Sequence, residues 1–234
     1  MKYKNIIIII RRIFLFIRRR DLFVKTNIVV EYNIFGSEYG GWPVVAQLLN
    51  CDSVIYSAGV GEDISFDLAL INKFNVTIHA FDPTPSSIKY VNKNLNTKNF
   101  IMHPYGLYNK NCVVKFYQPE NKNHISHSIY DKGGGISINV KMRKIKTVME
   151  ELGHNHIDLL KIDIEGAEYD FIKNMLKNKI YPTQLLIEFH HRFKKIKPKM
   201  TKEIIYLLNK CGYKLYFVSK WGTDYGFIIK NHKE

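Results

Sequence analysis

Cysteine is scarce in this chain. Only three occur in 234 residues, Cys51, Cys112 and Cys211, far apart and without a C-x-x-C pair. That spacing excludes a disulfide framework and a cysteine-ligated zinc site, and free thiols suit a reducing cytosol. Long apolar runs are lacking too. Residues 6–10 and 13–17 form two runs of five split by Arg11-Arg12, well short of the roughly 20 residues of a spanning helix. No small-residue cleavage site follows them, whereas three arginines do, which argues against a secretory signal. Prolines number seven, and no repeat or low-complexity linker divides the chain. What is abundant is apolar: 46% hydrophobic and 13% aromatic residues exclude a disordered scaffold and supply one sizeable core.

Acidic residues are missing from two stretches. Residues 1–20 carry seven basic side chains and no acid, residues 192–202 six and none, and together they supply thirteen of the net +14. The remainder is nearly neutral, so the bulk of the domain offers no nucleic-acid surface. The chain thus divides into a basic and apolar N-terminal segment, 1–34, and a folded domain, 35–234. Residues 1–20 have two readings. In one they rest on an anionic membrane surface, where each basic residue is worth about 1 kcal/mol, and are dispensable for folding and catalysis. In the other they are an isoleucine-rich segment packed on the domain with its arginines in water. The expected location is the cytoplasm, with membrane association at the N-terminus under the first reading.

From about residue 53, short β-branched runs alternate with longer periodic ones, the signature of an α/β domain. Strands are predicted at 53–57, 76–81, 99–103, 157–162, 184–188, 214–219 and 226–230. Helical stripes follow Asp63 (Ile64, Leu68, Ile71) and Gly166 (Ala167, Phe171, Met175). Residues 112–140 break the alternation and read as a hairpin insertion, with strands at 113–117 and 136–141, ahead of a helix near Val148.

Three constellations carry chemistry. Gly59-Val60-Gly61 ends the first strand in a turn where a ligand can approach the backbone closely. Asp82, at the end of the next strand and 21 residues beyond Gly61, is placed to accept hydrogen bonds from two ribose hydroxyls. A dinucleotide fingerprint needs a third small residue where this chain has Ile64, which favours a nucleoside cofactor without a pyrophosphate. Finally, Lys161-Ile162-Asp163-Ile164-Glu165-Gly166-Ala167-Glu168 delivers Asp163 and Glu165 to the sheet edge where open α/β folds bind ligands, with Glu168 read as an acid at a helix N-terminus.

These residues, with Phe81-Asp82-Pro83, resemble the FkbM-type family of S-adenosylmethionine-dependent methyltransferases over roughly residues 35–230. The resemblance implies a Rossmann-like class I methyltransferase domain, with a seven-stranded, mostly parallel sheet and a terminal antiparallel hairpin. It implies that Gly59 and Gly61 flank the amino-acid part of S-adenosylmethionine and Asp82 its ribose. Pro83, Thr84, Tyr105, Gly106 and Leu107 would then line the adenine side. The family pattern has an acid ending the first strand; Ser57 stands there, leaving Glu62, Asp63 or Asp163 for the methionine ammonium. Methyl transfer to a hydroxyl of a sugar, lipid or small metabolite needs a base, for which His190 or His191 is the candidate. Alternatively Asp163, Glu165, Glu188 and a histidine hold a divalent metal, a reading not favoured because their spacing matches no recognised metal motif. His124-Ile125-Ser126-His127-Ser128 is a candidate acceptor loop. The rival functions are a catalytically silent binding protein of the same fold and, more distantly, an NAD-dependent oxidoreductase.

Overall fold

A computed structural model describes residues 2–95, 97–117 and 136–229. The loop 124–128 lies outside the described residues. An N-terminal helix, α1 (Lys2–Ile17), leads to a short antiparallel pair, β1 (Asn33–Phe35) and β2 (Trp42–Val44). The α/β core then runs β3 (Ile55–Ala58), α2 (Ser65–Phe74), β4 (Ile78–Phe81), α3 (Pro85–Asn94) and β5 (Phe100–His103). Next come β6 (Gly106–Tyr108), β7 (Cys112–Tyr117), β8 (Ser137–Lys144) and α4 (Ile145–Leu152). The chain continues through β9 (Leu159–Ile162), α5 (Glu168–Lys177), β10 (Gln184–Glu188), α6 (Pro198–Lys210), β11 (Tyr213–Val218) and β12 (Asp224–Ile229).

Seven strands form the main sheet in the order β11-β12-β10-β9-β3-β4-β5. The five from β10 to β5 are parallel, and β12 runs antiparallel to both its neighbours. The terminal hairpin is thus as expected, although β12 rather than β11 is the inserted strand. Successive residues of each strand bury opposite faces, as the two-residue pleat requires. Tyr56, Leu160 and Leu185 meet α4, α5 and α6 on one side, while Ile55, Leu159 and Leu186 meet α2, α3 and β2 on the other. The predicted insertion is a separate sheet of order β6-β8-β7, in which β6 pairs parallel to β8.

The N-terminal segment is joined to this body. The division drawn at residue 34 falls inside β1, Leu22 is buried in the main core, and Asn27 pairs with Leu215 of β11 through two hydrogen bonds. Arg12 is buried and donates to the carbonyl of Leu22 at 2.8 Å and to the Asp21 carboxylate at 3.3 Å. The packed-segment reading is met only in part, because one arginine faces in while the isoleucines around it face out. Removing either partner of this pair would strand a buried charge, so the Arg12–Asp21 contact is costly to break.

Between the sheet and α4 lies a cluster of rings. His79 and His103 share a 3.0 Å contact, and Tyr56 Oη and His154 Nδ1 another of 2.8 Å. Burial first, then the neighbouring histidines, pushes His79 down from 6.5 to about 4. The unfolded chain therefore takes up a proton near pH 6.5 that the folded chain refuses until about pH 4. The neutral ring's contribution is complete above pH 6.5 and is lost as pH falls towards 4. We expect the urea midpoint to drop between pH 7 and pH 5 and His79→Phe to reduce that slope; equal slopes in the two proteins would refute the assignment.

Candidate active site

Strand order reverses between β3 and β9, and the loops leaving these two strands diverge to open a cleft at the carboxyl edge, where open α/β sheets bind ligands. The two loops touch. Asp163 N donates to Ala58 O at 2.9 Å, and a Cβ built on Gly59 would lie 1.7 Å from Asp163 O. Gly59, at φ +83°, is thus demanded by the neighbouring backbone before any ligand arrives. Gly61, at φ +61°, has nothing within 4 Å of its Cβ position and leaves open space above the turn. Beneath the turn, the buried Lys161 ammonium donates to Gly59 O.

Asp82 ties the glycine turn to the next loop. One carboxylate oxygen accepts from Val60 N (2.9 Å) and Gly61 N (3.1 Å), the other from Thr84 N (2.9 Å) and Thr84 Oγ1 (2.6 Å). A carboxylate has about four acceptor positions, so all are in use. Thr84 Oγ1 has a second partner in Ser87 Oγ at 2.7 Å.

The cleft is open to solvent and its cavity volume is about 90 Å³. Of the residues expected from sequence, Gly59, Gly61, Asp82, Pro83, Thr84, Gly106, Leu107, Asp163 and Glu165 all line it. Sequence reasoning missed Phe81, Ser87, Ile164, Phe116 and Met142. Ser87 had a readable signal, being one turn into a helix that starts with Pro85. Phe116 and Met142 had none, because the second sheet brings them from strands far apart in sequence.

At the rim, Glu165 (φ +52°) and Gly166 (φ +102°) turn the chain sharply out of β9. Asp163 Oδ1 and Glu165 Oε2 each lie 3.7 Å from His190 Nε2, while His190 Nδ1 is 3.3 Å from the fully buried Glu168, which also accepts from His190 N and Gly166 N. Burial opposes charge on His190, but Glu168, Glu165 and Glu188 outweigh it and hold the imidazole well above the ordinary histidine range. Burial raises Asp163, with Lys161 and His190 acting against it, and burial plus Asp163 pushes Glu188 well up. His190, expected from sequence as a base, thus reaches the rim with carboxylates around it that favour its protonated form. Asp163, Glu165 and His190 also present ligand atoms all within 4.8 Å of one another, which suits a divalent ion if that proton leaves.

Four other expected residues do not line the cleft, and His191 is turned away from it. Ser57 is wholly buried in β3, and Glu62 is exposed. Asp63 accepts from Ser37 Oγ and Ser65 N, hydrogen bonds that outweigh burial and lower its carboxyl, so it organises the start of α2 rather than a ligand ammonium. Tyr105 packs on Phe81 and His103 behind the wall. His191 is buried with Nε2 3.3 Å from Asp21, turned to the α1 anchor although its neighbour serves the rim.

A mostly parallel seven-stranded sheet closed by an antiparallel strand, with a glycine turn and an acid ending the adjacent strand at the switch point, defines a class I methyltransferase fold. Residues 57–215 match the methyltransferase FkbM domain, and the chain belongs to that family. A curated relative, probable methyltransferase-like protein 24 of Homo sapiens, is 26% identical over 149 residues, covering 62% of this chain and 34% of its own length. The chain thus spans about a third of that relative. Among solved structures, methyltransferase FkbM from Methylobacillus flagellatus KT aligns over 76% of this chain and 44% of that one, at 14% identity and TM-score 0.47. The fibrillarin pre-rRNA processing protein of Methanococcus jannaschii aligns over 89% and 87%, at 13% and 0.47.

Proposed function

We propose that this chain transfers a methyl group from S-adenosylmethionine to a hydroxyl oxygen of a sugar, lipid or small metabolite. The observation that carries this reading is the switch-point cleft, with Asp82 and the glycine turn on one flank and Asp163 and Glu165 on the other. The cofactor, when bound, supplies an electrophilic methyl carbon on a sulfonium. Open space above Gly61 fits the approach of its amino-acid part, and Pro83, Gly106, Leu107, Phe116 and Met142 offer an apolar slot for its base. One ribose hydroxyl would be taken up by Asp82 in place of the Thr84 hydroxyl, which keeps Ser87 as a partner.

An alcohol attacks poorly while protonated. Asp163, raised by burial and set at the cleft, takes the acceptor proton as the oxygen gains the methyl and the carbon–sulfur bond breaks towards sulfur. The His190 imidazolium supplies the positive charge that a metal would otherwise bring to Asp163 and Glu165. Titration calorimetry with S-adenosylhomocysteine should show saturable heat, and labelled cofactor should leave a base-stable methyl ether on a hydroxylated acceptor. No heat at millimolar ligand would overturn the reading. Heat without transfer to any acceptor would favour the silent binding protein, for which the absence of an acid at Ser57 is the argument.

A further inference from the structure

We propose that α1 and the 192–202 segment together form a docking face for an anionic lipid bilayer, independently of the methyl-transfer reading. Eight large apolar side chains of α1 are exposed, from Ile13 at 46% to Ile17 at 73%. Among the described side chains of the helix, Ile8 and Arg12, one turn apart, are buried and Phe16 packs edge-on against Phe23, which leaves most of its circumference apolar and facing water. A soluble helix normally shows the reverse arrangement, and exposed apolar patches of this kind mark interaction sites.

Charge identifies the occupant. The two basic stretches, about 170 residues apart in sequence, meet in space: Arg18, Arg19 and Arg20 share a depression with Lys194 and Lys197, and Phe16 and Ile17 share one with Lys199 and Lys202. Arg20 donates to the carbonyl of Arg192 at 2.7 Å, which fixes this junction. The nearby acid, Asp21, is consumed by Arg12 and Arg192. Seven cations, Arg18, Arg19, Arg20, Lys194, Lys197, Lys199 and Lys202, therefore border a single greasy helix. A nucleic acid would use the cations and leave the isoleucines wet, and a second copy of this chain would oppose like charges. A bilayer with acidic headgroups satisfies both, because the helix enters the headgroup and acyl boundary by roughly 5–10 Å while the flanking arginines and lysines meet phosphates. At about 24 Å, α1 is also too short to cross, and no described helix is long and apolar enough to do so. The helix therefore lies in the plane of the surface, held to the body by Arg12.

Flotation of the full chain with vesicles tests this. Vesicles of phosphatidylcholine with phosphatidylserine should carry the protein up, and vesicles of phosphatidylcholine alone should not. Ile10→Glu/Phe14→Glu, on exposed positions, should abolish flotation, with circular dichroism confirming the fold. Arg18→Glu/Arg19→Glu/Lys197→Glu/Lys199→Glu should weaken partition by on the order of a thousandfold or more, four basic residues at about 1 kcal/mol each. Equal flotation on neutral vesicles, unchanged partition of either variant, or salt-independent binding would overturn the proposal. So would dimerisation without lipid that Ile10→Glu/Phe14→Glu removes, or tight binding of RNA that the same double variant leaves intact.

Discussion

Asp163→Asn should lower kcat by roughly 10²–10⁴-fold, the range for removing a positioned proton acceptor. The amide preserves size and cannot take a proton. Folding should survive, because the contact that dictates Gly59 is made by the backbone oxygen of residue 163, not its side chain. The pH profile is the sharper readout. Burial raises the Asp163 carboxyl, with Lys161 and His190 pulling the other way, so the active, ionised form appears at higher pH than for an ordinary aspartate. Wild-type kcat should rise through that ionisation, and the Asn variant should lose the limb. Chelators should leave the wild-type rate unchanged, because the proposed transfer routes no step through a metal and sets His190 against Asp163 and Glu165. Activity lost to chelator and restored by Mn²⁺ would instead make Asp163, Glu165 and His190 ligands, which their 4.8 Å grouping permits.

A second large effect is expected at Asp82. Its carboxylate holds four donors from two loops, and removing it strands the buried ones. Asp82→Ala should cost about 3 kcal/mol of stability, or roughly 10 °C in Tm for a domain of this size, and should weaken S-adenosylhomocysteine by on the order of a hundredfold, about 2.7 kcal/mol. Differential scanning calorimetry and titration calorimetry on one preparation separate the two. A lowered Tm with unchanged affinity would reduce Asp82 to a loop tie and sink its ribose role.

The parts of this site that were legible in sequence share a physical cause. Gly59, Asp82 and Asp163 each end a buried parallel strand, and parallel strands must deliver their carboxyl ends to one edge, so finding the strands located the site. Neighbouring residues in irregular chain carry no such rule. His190 and His191 follow β10 in a segment without strand periodicity, and only coordinates reveal that one serves the rim and the other Asp21. Phe116 and Met142 depend on β6 pairing parallel to β8, a long-range choice that local pattern does not encode. Arg12 was invisible for a related reason: its partner, Asp21, stands nine positions on, beyond any helical i, i+4 relation, so the arginine looked like one more solvated charge.

That tandem pair of histidines has a mechanical consequence. His191 grips Asp21, which in turn grips Arg12 of α1, while the backbone N–H of His190 is bonded to Glu168 beneath the reactive carboxylates. One peptide unit joins the two grips. The anchor of α1 and the support of the rim are thus held by adjacent residues of one loop, so the two contacts share a single short piece of chain.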